Sequence, residues 1–326
     1  MKTVAIVQAR MGSIRFPAKV MRLICGTPMI GLLLNRLANS KLIDQIVLAT
    51  SEDPRNDPLV KYVCKLGYSV YRGSEDDVLD RYYQAAKEAE ADFVVRITGD
   101  CPLIDPVVVD EVISGFLKDK VDYASNIEPP TYPDGLDTEV FTFQALDTAW
   151  NQAKAPQERE HVTLFIRGSN NFSQVNFANA TDCSDERWTV DEPEDFELIH
   201  KVFEHFSPRR NFGWLEVLSL RKKHPEWFMP NSHLVRNQGL RFGTGQKLWK
   251  RAKKVIPGGS MLLSKRPEMF LPEQWPAYFS KAKGCRVWDL DGKEYIDMSI
   301  MGIGTNTLGY GHPEVDDAVR NVLDMG

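Results

Sequence analysis

Up to Lys120 the chain repeats one unit: a short apolar run, too brief for a helix, then a segment whose apolar residues recur at helical spacing. The runs are Thr3–Val7, Gln45–Thr50, Tyr68–Tyr71 and Phe93–Thr98. The segments between and after them predict helices over Pro28–Ala38, Pro58–Leu66, Val78–Ala89 and Pro106–Leu117. Each start carries residues that suit a helix N-terminus: Thr27, Asp57, the run Ser74 to Asp77, and Asp105. Strand-then-helix repetition gives a mostly parallel sheet covered by helices. The expected fold is therefore α/β, a doubly wound, Rossmann-like sheet with its ligand off the carboxyl ends of the strands.

Beyond Lys120 the rhythm changes. A Pro- and Gly-rich loop, Glu128–Gly135, precedes a strand over Thr138–Thr142, then helices near Phe143–Gln152 and Gln157–Arg167. Strands over Phe172–Phe177 and Arg187–Val190 follow, with a helix from Pro193 to Phe206 and a closing helix and polar turn over Trp214–His233. At 326 residues the chain is too long for one ordinary core. The boundaries expected are a first domain over 1–238, a linker over 239–245, and a segment over 246–326 that opens with the basic helix Gln246–Val255.

Charge and composition remove several functions. A net charge of -5 argues against a surface built to coat nucleic acid. No apolar run is long enough to span a bilayer, and the one before Arg10 is too short for a signal segment. Cys25, Cys64, Cys101, Cys183 and Cys285 are scattered without a C-x-x-C pair, as in a reduced cytoplasmic chain with no zinc framework.

The first strand runs into Gln8-Ala9-Arg10-Met11-Gly12-Ser13-Ile14-Arg15-Phe16-Pro17-Ala18-Lys19. Arg10, Arg15 and Lys19 fall close together, and Gly12 permits close backbone approach, so amides and cations together suit a triphosphate. A loop with merely solvated cations fits the same residues. Neither a Walker loop nor a G-x-G-x-x-G turn is present. Asp100, in Thr98-Gly99-Asp100-Cys101-Pro102-Leu103, stands at a strand end, where a carboxylate can hold Mg²⁺ or simply accept backbone hydrogen bonds. Asp191, in Val190-Asp191-Glu192-Pro193-Glu194-Asp195, reads as an N-cap with Glu194 completing a capping box, a role compatible with metal binding. Asp195 reads as a solvated first-turn acid. Arg81 stands one helical turn from Asp77, an ordinary intrahelical spacing.

The string A-R-M-G-S-x-R-x-P-x-K resembles the opening of the cytidylyltransferases that make CMP-sugar acids, nearest the spore coat polysaccharide biosynthesis branch and similar to CMP-KDO synthetases. That resemblance implies a nucleotide-diphospho-sugar transferase-like fold and triphosphate binding by Arg10, Gly12, Ser13, Arg15 and Lys19. Phe16 and Ala18 stand where Leu and Gly are usual in the family. T-G-D-x-P-L and V-D-x-P-E-D resemble the family's metal-binding acids, which implies Mg²⁺ on Asp100 and Asp191, with Arg15, Lys19 and Asp100 catalytic. The segment Arg72-Gly73-Ser74-x-x-Asp77-Val78-Leu79-x-Arg81 resembles a stretch near the nucleotide, which nominates Arg72 and Asp77. Asp137, Glu139, Arg159 and His161 are nominated for the acceptor sugar.

Leu248–Gly259, Arg286–Asp297 and Gly309–Val315 resemble the opening of class III aminotransferases, close to glutamate-1-semialdehyde aminomutase. Only about 246–326 is covered, without a lysine placed for a PLP Schiff base, so PLP is expected only for a complete aminotransferase and not for this chain. The expectation is an incomplete aminotransferase segment joined to a cytidylyltransferase. Its expected partners are CTP and a 2-keto-3-deoxy sugar acid, with no nucleic acid and no membrane, and its expected assembly is a homodimer. Two other readings stand beside this: a nucleotide-sugar glycosyltransferase, and a non-catalytic nucleotide-binding domain. The clustered cations favour a free triphosphate over a donor diphosphate. UTP in place of CTP stays open.

Overall fold

The computed structural model describes all residues except Ile14, 232–242, 261–262, 264–265, 272–274, 299–305 and 324–326. It separates into two units, Met1–Arg236 and Asn237–Gly326.

In the first unit β1 is Thr3–Gln8, followed by a hairpin of β2 (Leu23–Ile24) and β3 (Thr27–Pro28), then β4 (Gln45–Ser51) and β5 (Ser69–Gly73). β6 is Phe93–Thr98, β7 Tyr123–Ser125, β8 Glu139–Thr142 and β9 Gln174–Asn176. Seven of these form one sheet in the order β5-β4-β1-β6-β8-β7-β9. The first four positions are parallel, while β8 runs antiparallel to both β6 and β7. The sheet is mostly parallel and doubly wound, as expected.

Helices α1 (Met29–Leu37), α2 (Asp57–Lys65), α3 (Val78–Glu88) and α4 (Pro106–Asp119) connect the parallel strands. After β8 come α5 (Phe143–Gln152), α6 (Pro156–Glu160) and α7 (Leu164–Gly168), and after β9 come α8 (Pro193–Phe206), α9 (Trp214–Lys223) and α10 (Pro225–Phe228). Strand periodicity splits the core in two. Ala5 and Val7 pack with residues of α1, α4 and α8 on one face. Val4 and Ile6 pack with Leu79 and Tyr82 of α3 and Leu146 of α5 on the other.

Several expected elements shift. Thr27 does not cap α1, because it pairs across the hairpin, whose turn residues Cys25 and Gly26 both have left-handed φ (47° and 80°). Asp57 is the first residue of α2 and follows the cap position of Asn56. Asp77 and Asp105 do cap, accepting from the backbone N–H of Asp80 and Val107. The helix expected over Gln157–Arg167 is two short helices, interrupted where Val162 has φ 55°, a conformation costly for a β-branched residue. Phe172–Phe177 shortens to β9. Arg187–Val190 is no strand: only Arg187 forms a bridge, to Asp134, while Val190 N donates to Asp100 O at 2.8 Å. Pro225 separates α9 from α10, and His233 lies outside the described residues.

The second unit has a helix over Thr244–Val255, a three-stranded antiparallel sheet of Phe279–Lys283, Arg286–Asp289 and Glu294–Ile296, and a helix over Pro313–Leu323. Trp249 is buried there, its indole N–H donating to Glu268 Oε1 at 2.7 Å. Trp275 stacks on Phe270. Among the described residues no helix is long and apolar enough to cross a membrane.

Candidate functional site

Travelling outward from β1, the chain places β4 and β5 on one side and β6 on the other. That reversal opens a crevice at the carboxyl ends of β1 and β6. Gly99 N donates to Gln8 O at 2.7 Å, closing the crevice floor. A Cβ at Gly99 would lie 2.6 Å from Ala9 Cβ and 2.7 Å from Gln8 O, so this approach requires glycine.

The loop after β1 is folded back over the face carrying α1 and α8. Met11 N donates to Asn56 Oδ1 at 2.8 Å, and Ala18 N to Met11 O at 3.1 Å. Phe16 is buried edge-on against Phe196 of α8, with the Arg22 guanidinium 4.2 Å over its ring. Ser13 Oγ accepts from Phe16 N at 3.3 Å. These anchors turn Lys19 inward, where it is 8% exposed.

Lys19 Nζ is the centre of the site. It donates to Val190 O at 2.6 Å, to Asp191 Oδ1 at 2.9 Å and to Asp100 Oδ2 at 3.3 Å. Arg15 Nη2 lies 2.9 Å from Asp191 Oδ1, and Arg15 Nη1 lies 3.8 Å from Glu192 Oε1. Burial opposes the charge on Lys19, but Asp100 and Asp191 outweigh it and raise its pKa. Burial likewise opposes ionisation of Asp191, and Lys19, Arg15 and Arg187 overcome it, holding that carboxyl at about 2. The arrangement is a lysine bridging two carboxyl groups.

Behind Asp191 stands a group that the sequence reading missed. Asp195 is fully buried, not a solvated first-turn acid. Its oxygens take Arg187 Nε at 2.9 Å and Arg187 Nη2 at 3.0 Å, Asn231 Nδ2 at 3.0 Å, and the backbone N–H groups of Asp191 and Glu192. Asp191 is thus not the N-cap, and Glu194 completes no capping box; Glu192 holds the cap position and Asp195 returns to it. Arg187 Nη1 also reaches Asp134 Oδ2 at 3.1 Å. An Arg187 spaced four and eight residues before two acids was the available signal, but extended chain there would have set Arg187 and Asp191 about 13 Å apart.

The remaining nominated residues divide clearly. Arg10 Nη1 is 2.5 Å from Glu75 Oε1, which ties the loop to the segment before α3. Gly12 has no left-handed φ, and a Cβ there would find only ordinary contacts, so the packing of the chain itself does not demand glycine. Arg72 is spent on the β4–α2 connection, donating to Asp57 Oδ1 at 2.7 Å and to the carbonyls of Glu52 and Asp53. Asp77 caps α3 and takes Arg159 Nε at 3.0 Å and Nη2 at 2.5 Å, while Arg159 Nη1 holds Trp150 O. Glu139 is buried and accepts from Arg96, from Tyr123 Oη at 2.7 Å and from Thr163 Oγ1 at 2.6 Å. Asp137 is half-buried in the loop entering β8, and His161 follows α6 with Nε2 3.9 Å from Glu160 Oε2. Arg81 does not form the intrahelical pair with Asp77 that its spacing allows; it is buried, and its Nε and Nη1 have no hydrogen-bond partner.

Among the described residues, no cluster of three or more His, Cys, Asp or Glu side chains could hold a metal. What the site offers is two hard carboxylates converging on one cation. That geometry fits a divalent ion whose other ligands are phosphate oxygens and water.

Residues 4–213 match the family model described as cytidylyltransferase, and residues 272–326 that of class-III aminotransferases. An uncharacterised protein of Methanocaldococcus jannaschii is 36% identical over 244 residues, covering 74% of this chain and 98% of that protein. The spore coat polysaccharide biosynthesis protein SpsF of Bacillus subtilis is 32% identical over 229 residues, covering 68% of this chain and 94% of that protein. A solved cytidylyltransferase from Leptospira borgpetersenii superposes with a TM-score of 0.68 at 33% identity, covering 70% of this chain and 97% of that one.

Proposed function

The chain belongs to the cytidylyltransferase family, and from that premise we propose that it transfers CMP from CTP to the anomeric hydroxyl of a 2-keto-3-deoxy sugar acid for surface polysaccharide synthesis. The hydroxyl oxygen forms a bond to the α-phosphorus, the bond from that phosphorus to the bridging oxygen breaks, and pyrophosphate leaves. The hydroxyl proton passes to solvent. The observation that supports this reading best is Lys19 Nζ held at once by Asp100, Asp191 and Val190 O, with Arg15 alongside. Fixed cations beside paired carboxylates match the charge that develops on a transferring phosphoryl group and its leaving group.

Asp100 and Asp191 would hold Mg²⁺, which when bound supplies charge neutralisation and alignment of the phosphate oxygens. The protein's own part is preorganisation. Arg187 and Asp195 hold the Asp191 backbone and side chain, and the Gly99 approach fixes Asp100. Arg15 and Lys19 wait with their charges already oriented. Arg72, Asp77, Glu139 and Arg159 support the walls of the site through the contacts above, acting as positioning residues.

The test is pyrophosphate release measured across CTP, UTP and ATP with a panel of 2-keto-3-deoxy sugar acids, with and without Mg²⁺. Release with CTP, a sugar acid and Mg²⁺ is expected. Equal release in EDTA, or turnover only with a preformed nucleotide-sugar donor, would reject the proposal.

A further inference from the structure

An ammonium has three N–H donors, and Lys19 has committed all of them: to Val190 O at 2.6 Å, to Asp191 Oδ1 at 2.9 Å and to Asp100 Oδ2 at 3.3 Å. None is left for a phosphate oxygen. The acids are engaged in the same way. Asp191 Oδ1 meets Arg15 Nη2 as well as Lys19, and its Oδ2 takes Arg187 Nη2 at 3.3 Å. Asp100 gives Oδ2 to Lys19, while its Oδ1 lies 3.6 Å from the Cys101 thiol. In this arrangement Lys19 cannot serve phosphate, nor can the two acids share a divalent ion through the oxygens that meet at Nζ.

The packing decides which group yields. Mg²⁺ needs carboxylate oxygens at about 2.0–2.1 Å, closer than either stands to Nζ. It also repels an ammonium lodged between the same two oxygens. Arg187 is fixed, with Asp195 at 2.9 and 3.0 Å and Asp134 at 3.1 Å. Arg15 pairs with Asp191 and Glu192 but not with Asp100. Lys19 joins both acids, and its flexible stem lets the ammonium turn while the chain stays in place. The side chains of Asp100 and Asp191 keep 27% and 19% of their surface exposed, so an entering ion can reach them.

We propose that Lys19 is an exchangeable stand-in for the divalent ion. Its ammonium holds Asp100 and Asp191 together, then leaves both carboxylates to the metal and turns its freed donors to the phosphate oxygens that arrive with it. One movement satisfies both sets of groups, because the nucleotide–metal complex carries the acceptors that Lys19 gains and the cation that the acids gain. Metal alone offers Lys19 nothing in exchange, so it binds weakly, and metal and nucleotide favour each other's entry. This rests on the cytidylyl-transfer reading.

The experiment titrates Mn²⁺, a hard cation visible by electron paramagnetic resonance, into wild type, Lys19→Met and Arg10→Met, with and without CTP. Without nucleotide, Lys19→Met should bind Mn²⁺ at least about tenfold more tightly than wild type, a modest share of what two close charges exchange near a protein surface. Arg10→Met removes a charge of the same loop that is paired with Glu75 instead, and should leave that affinity unchanged. CTP should raise Mn²⁺ affinity in wild type, and by a smaller factor in Lys19→Met. A second measurement needs no variant: acylation of Lys19 in wild type, read by mass spectrometry, should rise at saturating Mn²⁺ and fall again when CTP is added. Unchanged or weaker Mn²⁺ binding by folded Lys19→Met, an equal gain in Arg10→Met, or Lys19 acylation indifferent to Mn²⁺ would overturn the inference. A wild type whose Mn²⁺ affinity does not respond to CTP would instead remove the cytidylyl-transfer reading, and this inference with it.

Discussion

Asp100 and Asp191 share Lys19, and Asp191 and Asp195 share Arg187, yet the three acids do different work, and substitution separates them. Asp100 and Asp191 face Lys19 directly. Asp100→Asn and Asp191→Asn should each cut turnover by at least about a hundredfold, the loss typical of removing one charge-stabilising group from a preorganised site. Asp195 touches neither Lys19 nor Arg15 by any contact described; it holds Arg187, Asn231 and the turn that presents Asp191. Asp195→Asn leaves a buried guanidinium short of its partner, a change that costs about 3–5 kcal/mol when one member of a buried pair is removed. Its main effect should therefore be a lowered melting temperature, with turnover loss following from the displaced Asp191. Steady-state kinetics and melting curves on the same three variants check this. A stable Asp195→Asn protein with unchanged turnover would contradict the assigned role. The residue types of the site were legible in the sequence because cations clustered in the loop and acids stood at strand ends. The burial of Asp195 was not, since it depends on Asn231, 36 residues further along the chain.

At the scale of elements, periodicity served where a segment packs on one neighbour throughout. The helices over Phe143–Gln152 and Pro193–Phe206 and the strand over Phe93–Thr98 match their expected bounds. It failed at Arg187–Val190, whose alternation is real but whose backbone partners are loops around Asp100 and Asp134. Another feature invisible to local pattern is the pairing of antiparallel β6 and β8, which sets Arg96 opposite Glu139. Both are largely buried, and Glu139 also takes Tyr123 and Thr163. Glu139→Gln should destabilise the protein by about 3–5 kcal/mol, and adding Arg96→Met should restore much of that loss, because an apolar replacement removes the stranded charge. The pH dependence has a definite sign. Burial raises the Glu139 carboxyl, but Arg96, Thr163 and Tyr123 overcome it and leave it below the usual carboxylate range. A depressed folded pKa means stability fully present above the unfolded value and lost as pH falls through the folded one. Chemical denaturation of wild type should thus lose stability on acidification below about pH 4.3, the unfolded Glu value. Glu139→Gln should lose less over the same window, and parallel acid limbs for the two proteins would count against the pair.

For the whole molecule, the boundary between the units gives the sharpest test of where catalysis resides. Lys19, Arg15, Asp100 and Asp191 all lie within Met1–Arg236, as do both core clusters. The segment matching class-III aminotransferases lies entirely in the second unit. A chain ending at Arg236 should therefore keep the cytidylyl-transfer rate of the full protein and the melting transition of the first unit. The full chain mixed with PLP should show no absorbance band of an internal aldimine, since an aminotransferase site also needs its lysine and a phosphate cup. The position of the cut matters in a way that sequence boundaries alone do not reveal. Asn231 Nδ2 donates to Asp195 Oδ1 at 3.0 Å and to Arg187 O at 3.1 Å, and Asn231 is 2% exposed. A chain ending at Pro230 loses only six residues more than one ending at Arg236, yet it opens the polar group behind Asp191. That shorter chain should melt lower and lose turnover, in the manner of Asp195→Asn, because a hydrogen-bonded buried carboxylate loses one of its donors. Rates and melting temperatures for the two truncations decide the matter. If both retain full activity, Asn231 is dispensable; if both lose it while staying folded, the second unit contributes to the site and catalysis does not belong to the first unit alone.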